Sequence, residues 1–230
     1  MEKNLTLKNN ENSKTWYPNS IGQLESHLSC LISKNEYFTK EKSKGIRKNI
    51  SYSLQYIEFL YRVINDIKMS SVIDKQNMKS FLIHGTAIIE AISNFVVISQ
   101  GYGKITKWKS VTKNTANEYK LNAITYKNEI EIFEKLDSEI PISMTFDQLI
   151  KKIENKKLFG QSFPIYSKIK PLRQLRNKIH IHDSENSGDT DWYNFNETEY
   201  KLIKEVLFEI LKSDLFNNTI FDGFKFLGDS

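Results

Sequence analysis

Between residues 74 and 100 the chain carries Met78, Phe81, Leu82, Ala87, Ile88, Ile92, Phe95, Val96 and Ile98 in steps of three and four. A helix this apolar has little polar face to offer water, so it must lie at the centre of a helical bundle. His84 and Glu90 interrupt it, and a polar group carried into a core needs a partner. Glu90 is therefore expected either to be satisfied at the rim of the core or to meet a basic helix elsewhere in the chain.

Further helical stripes surround this one. Ile46, Ile50, Leu54, Ile57, Leu60, Tyr61 and Ile64 define a long helix over about 41 to 68. Its first turns hold Lys42, Lys44, Arg47 and Lys48, a placement opposed by the helix dipole, so either the helix begins later or the cluster is solvated or binds a partner. Three capping boxes mark helix starts: Ser20 with Gln23, Thr145 with Gln148, and Asn196 with Glu199. The last precedes Tyr200, Ile203, Val206, Leu207, Ile210 and Leu211, an amphipathic helix. His27, in the first capped helix, falls near its polar side, where a solvated role is expected.

Residues 1–18 read as a mobile polar arm, 19–212 as one helical domain, and 213–230 as a Phe- and Gly-rich extension. The domain is interrupted by an insertion at about 103–144. There Ile124/Tyr126 and Ile130/Ile132 alternate as in short strands, while Tyr119, Ala123, Tyr126, Ile130 and Phe133 fit a helix through 117–137. Trp108 among lysines suits either an anchor to the core or a platform for RNA bases.

The chemistry concentrates in 171–183, where Arg173, Arg176, Asn177, Lys178, His180 and His182 follow one another on an apolar helical repeat. Pro171 predicts a kink or a fresh helix start there. On a helix Arg176 and His180 lie about 40° apart and Arg173 and His180 about 20°, whereas His182 points about 120° from Arg176. Arginine grips phosphate oxygens bidentately and histidine moves protons near neutral pH, which suits work on a phosphodiester. An Arg–His pair on a helix is also commonly a surface charge cluster, so the two readings stand side by side.

The run Leu175-Arg176-Asn177-Lys178-Ile179-His180, followed by a polar loop and a final amphipathic helix, resembles the signature of the HEPN family, an arginine with a polar follower and then four to six residues before a histidine. Arg176 to His180 has three intervening residues, Arg176 to His182 five, and Arg173 to His180 six. The resemblance implies an all-α HEPN-like helical bundle, with the insertion between helical pairs. It further implies a metal-independent endoribonuclease of toxin, abortive-infection or antiviral-defence type, needing no cofactor. Such enzymes dimerise with motifs of two subunits in one cleft, act on RNA such as tRNA or mRNA, and pair with an antitoxin or other defence component. On this resemblance Arg176 binds phosphate, His180 and His182 share proton transfer, Asn177 orients the motif, and Arg173 and Lys178 bind substrate; Glu90, where it meets this helix, would orient an arginine. The alternative is a non-catalytic module for dimerisation, partner binding or RNA binding.

Composition agrees without deciding. A net charge of +5 is compatible with nucleic acid. One cysteine, Cys30, cannot form an internal disulfide, is expected to be a buried thiol, and with four histidines gives no zinc spacing. The start of the chain has no secretory apolar core and no apolar run reaches membrane length, so a cytoplasmic location without membrane contact is expected. There is no phosphate-binding glycine loop, paired-carboxylate box or nucleophile elbow.

Overall fold

The computed structural model describes residues 6–7, 18–32, 39–161, 166–177, 190–216 and 222–228. Two compact units emerge, one formed by 1–102 together with 145–230 and the other by 103–144.

In the first unit a short strand, β1 (Thr6–Leu7), falls within what reads as a loose arm. It pairs antiparallel with β2 (Ile67–Lys68), the link between the two longest helices. Helix α1 (Ile21–His27) opens on its capping box, with Ser20 and Gln23 satisfying each other's backbone amides, and runs into a 3₁₀ turn at Leu28–Cys30. Helix α2 (Lys40–Asp66) is capped by Thr39, so it includes the basic cluster rather than starting after it. Glu41 in its first turn offsets part of the dipole conflict, and Arg47 turns back to donate to the Leu31 carbonyl at 2.9 Å.

Helix α3 (Ser71–Ser99) is the core helix, packed against α2 and against all the later helices named below except the last. By length and composition it could cross a membrane, yet 61% of its most apolar window is buried inside the protein. Two of its buried polar residues find partners: Thr86 donates to the Leu82 carbonyl at 2.9 Å, and the Lys79 ammonium donates to both Asp191 carboxylate oxygens at 2.8 and 2.9 Å, whereas the buried Ser93 Oγ has none among the described residues.

Beyond residue 144 come α4 (Phe146–Lys156), α5 (Tyr166–Asn177), α6 (Asp191–Asn194), α7 (Glu197–Leu211) and α8 (Lys225–Gly228). The capping boxes at Thr145 and Asn196 both form. Helix α4 stops because Lys157 adopts a left-handed conformation, φ 53° and ψ 42°. Helix α7 contributes Tyr200, Ile203, Val206, Leu207, Ile210 and Leu211 to the core, all at most 4% exposed. It approaches α3 closely at Gly85, where a Cβ would stand 2.7 Å from Ile203 Cγ1. Among the described residues of the Phe-rich end, Phe216, Phe224 and Leu227 are buried.

Residues 103–144 overturn the expectation of an all-α chain. Strands β3 (Lys104–Thr115) and β6 (Glu129–Ile142) form a long antiparallel ribbon, continued at its tip by β4 (Tyr119–Leu121) and β5 (Ile124–Tyr126). The helical reading of 117–137 is wrong and the alternation governs. The segment holds six isoleucines, four threonines and two tyrosines, residues whose branched or aromatic side chains fit a pleated surface. Asn122 and Ala123 turn the tip with φ of 49° and 63°, the double positive φ of a two-residue hairpin turn.

Candidate functional site

Helix α5 carries the arginines. Ile169 and Leu172 are buried on its inner side, and Arg173 and Arg176, four and seven residues after Ile169, follow on that same side towards the end of the helix, where both are only half-buried. Pro171 sits inside the helix, neither starting it nor ending it. Its missing amide leaves the Ser167 carbonyl without the usual helical donor.

Each arginine meets a carboxylate from a different helix. Arg176 Nη2 lies 2.9 Å from Glu90 Oε2 on α3, so the polar intrusion in the core helix does meet the basic helix. Arg173 Nη1 lies 2.5 Å from Asp147 Oδ1 in the first turn of α4, and Lys151 Nζ lies 2.8 Å from the other oxygen of the same carboxylate. The Lys151 hydrogen bond is the main cause that holds the Asp147 carboxyl below its ordinary range. Partial desolvation opposes it, while the charges of Arg173, Lys151 and Lys170 add to the lowering.

These pairings fix the guanidinium groups without burying them. The Arg176 side chain stays 43% exposed and that of Glu90 26%. Both Arg173 and Asp147 side chains are 29% exposed. Arg173 Nε is buried and has no hydrogen-bond partner among the described residues, so part of its donor fork is unused. Asn177, the last residue of α5, is exposed. The remaining sequence candidates, Lys178, His180 and His182, lie outside the described residues. What the structure brings together is therefore Arg173, Arg176 and Asn177 on one short helix, with Glu90 and Asp147 arriving from α3 and α4.

Asp147 is the participant that sequence reading missed. Its place in a capping box accounts for it locally, and nothing in the linear pattern shows that the α4 start lies beside α5. Near Glu90 on α3, His84 packs edge-on against Tyr56 of α2 with ring centroids 4.7 Å apart, and its burial lowers the imidazole pKa. Tyr56 in turn stacks with Phe59 at 6.0 Å.

Two further titratable groups, His27 and Cys30, pack into the fold. His27 is half-buried rather than solvated: its ring stacks on Phe216 at 5.3 Å, meets Phe224 edge-on at 5.0 Å, and Nε2 donates to the Leu211 carbonyl at 3.2 Å. Cys30 is half-buried with its thiol pKa raised chiefly by that burial, the opposite of an activated nucleophile. Among the described residues no three His, Cys, Asp or Glu side chains converge as a metal site. No known protein family, curated protein or solved structure matches this chain.

Proposed function

We propose that the chain is an endoribonuclease that cleaves RNA by attack of the ribose 2′-hydroxyl on the adjacent phosphorus, leaving a 2′,3′-cyclic phosphate and a 5′-hydroxyl. The observation that carries this reading is the Arg176–Glu90 pair. A carboxylate from the core helix orients a guanidinium that keeps nearly half its surface open to solvent, on a helix that leads through Asn177 into the His180 and His182 segment.

In this mechanism Arg176 binds the phosphate and offsets the charge that builds on its oxygens in the transition state. One of His180 and His182 takes the 2′-hydroxyl proton and the other protonates the departing 5′-oxygen. Arg173 and Lys178 extend the phosphate contacts, and Asn177 orients the motif. Glu90 acts through Arg176 as a positioning residue. DNA, which lacks the 2′-hydroxyl, is resistant. The resemblance to HEPN ribonucleases extends the proposal to a cytoplasmic toxin or antiviral-defence effector, working on tRNA or mRNA as a homodimer whose two motifs share a cleft, and held in check by an antitoxin or defence partner.

The opposing reading is a non-catalytic module in which the arginines serve only the fold, and one feature favours it: both are already engaged by carboxylates. Labelled tRNA and mRNA incubated with the protein in EDTA separate the two. Wild type should yield cyclic-phosphate ends, and Arg176→Ala and one of His180→Ala or His182→Ala should lose activity by about 10²- to 10⁴-fold. Intact RNA with folded wild-type protein would overturn the proposal.

A further inference from the structure

The ribbon of 103–144 has no interior of its own. From Lys104 to Ile142 not one residue is buried, although the segment holds many of the exposed large apolar side chains of the chain. Two strands with both faces in water are at best marginally stable, so a ribbon of this length calls for a cover.

Strand register shows where the cover belongs. Residues directly opposite one another point to the same face, and alternate residues along a strand share a face. Tyr119 faces Tyr126, their rings stacked at 5.7 Å, and Leu121 faces Ile124. The Tyr119 hydroxyl donates to Asn128 Oδ1 at 3.4 Å, which puts Asn128 on that same side, and Ile130 and Ile132 follow it at two-residue steps. One face thus carries Leu121, Ile124, Tyr119, Tyr126, Ile130 and Ile132, each 40% to 57% exposed, with Asn128 between the tyrosines and the isoleucines and Asn114 and Thr112 opposite Ile130 and Ile132. The reverse face of the same stretch holds the charges: Lys113 pairs with Glu129 at 2.8 Å, Lys127 with Glu129 at 3.6 Å, and Ser110 donates to Glu131 at 2.6 Å.

We infer that the apolar strip is a self-association surface, on which the ribbon of a second copy of this chain stacks face to face about a two-fold axis. The strip presents roughly 600 Å², above the ~400 Å² per side of incidental contacts and close to the ~800 Å² per side of a standard specific interface. Charge selects a like partner over nucleic acid. Residues 103–144 hold seven lysines against six carboxylates, so two ribbons do not repel and an RNA backbone gains almost no net attraction. A two-fold stack also matches the ends of the strip to each other. The tyrosine-rich tip of one copy meets the Ile132 end of its partner, with Asn128 and Ile130 near the axis. This inference does not rest on the ribonuclease reading.

Sedimentation velocity of the full chain across a concentration series tests it, comparing wild type with Ile130→Lys, Ile124→Lys and, on the reverse face, Thr115→Lys. The strip variants should halve the mass, from dimer to monomer, or from tetramer to dimer if the helical unit also self-associates. Thr115→Lys should leave the mass as in wild type. In a Cys30→Ser background a short bismaleimide should join two copies through Asn128→Cys but not through Thr115→Cys, a readout that does not depend on the lysine variants folding. A wild-type monomer throughout the series, a mass unmoved by Ile130→Lys, or equal cross-linking from both faces would each overturn the inference.

Discussion

Arg176 Nη2 and Glu90 Oε2 stand 2.9 Å apart, joining α5 to the core helix α3 at a point where both side chains still reach solvent. A buried pair of this kind would be costly to break, but a pair this exposed is screened and contributes about 1 kcal/mol or less. A double-mutant cycle of Glu90→Gln and Arg176→Gln, followed by urea unfolding, should therefore give a coupling of about 0.5–1 kcal/mol. Cleavage should fall much further in Glu90→Gln than stability does. A coupling of about 3 kcal/mol or more would assign the pair to the fold and remove the main support for an active site.

Gly85 is the contact point of α3 with α7. A Cβ there meets Ile203 Cγ1 at 2.7 Å and Leu207 Cδ1 at 3.1 Å, side chains that are themselves fully packed. Gly85→Ala should destabilise by about 1–3 kcal/mol, because overpacking outweighs the helix-propensity gain. Gly45 on α2 has nothing within 4 Å of its Cβ position, so Gly45→Ala should instead stabilise by about 0.5–1 kcal/mol. Chemical denaturation of the two variants side by side checks both signs.

The ribbon tip places Ala123 at φ 63°, where a Cβ crowds the backbone. Ala123→Gly removes that strain at a position whose partner Asn122 already suits the turn, and should stabilise the ribbon by about 1 kcal/mol. Slower amide exchange across Tyr119–Leu121 and Ile124–Tyr126, with the helical unit unchanged, is the expected outcome.

The longer helices of the first unit were legible from apolar residues at three- and four-residue steps, joined at α1, α4 and α7 by side chains able to cap the first turn, whereas the four-residue α6 and α8 were not read. Where both were present, at Thr145 and Asn196, the helix start followed to the residue. In 103–144 the periods competed. Tyr126, Ile130 and Phe133 satisfy a helix on paper, and only the β-branched content and the Asn122–Ala123 turn tip the balance. His27 was misread because its surroundings, Phe216, Phe224 and the Leu211 carbonyl, come from the far end of the chain. The same holds for the site. The Arg173–Asp147 pair depends on how α4 and α5 dock, which no local pattern encodes, while Glu90 could be suspected because a carboxylate in so apolar a helix demands a partner.

That misread histidine yields a pH dependence. Burial is the larger effect on His27 and lowers its pKa below the ordinary 6.5, the Leu211 carbonyl opposing it only in part, and His84 is lowered by burial as well. In the folded protein both rings favour the neutral form, so the unfolded chain takes up protons first as pH falls. Their contribution to stability is therefore fully present above about pH 6.5 and is lost as pH drops from there through the lowered folded values. The melting temperature should decline between pH 7 and pH 5, before the carboxylates titrate. His27→Gln, which keeps a donor for Leu211 but does not ionise, should start from a lower melting temperature at pH 7, having lost its ring contacts, and show a shallower decline. An unchanged slope in His27→Gln and in His84→Gln alike would show that neither ring is held neutral by the fold.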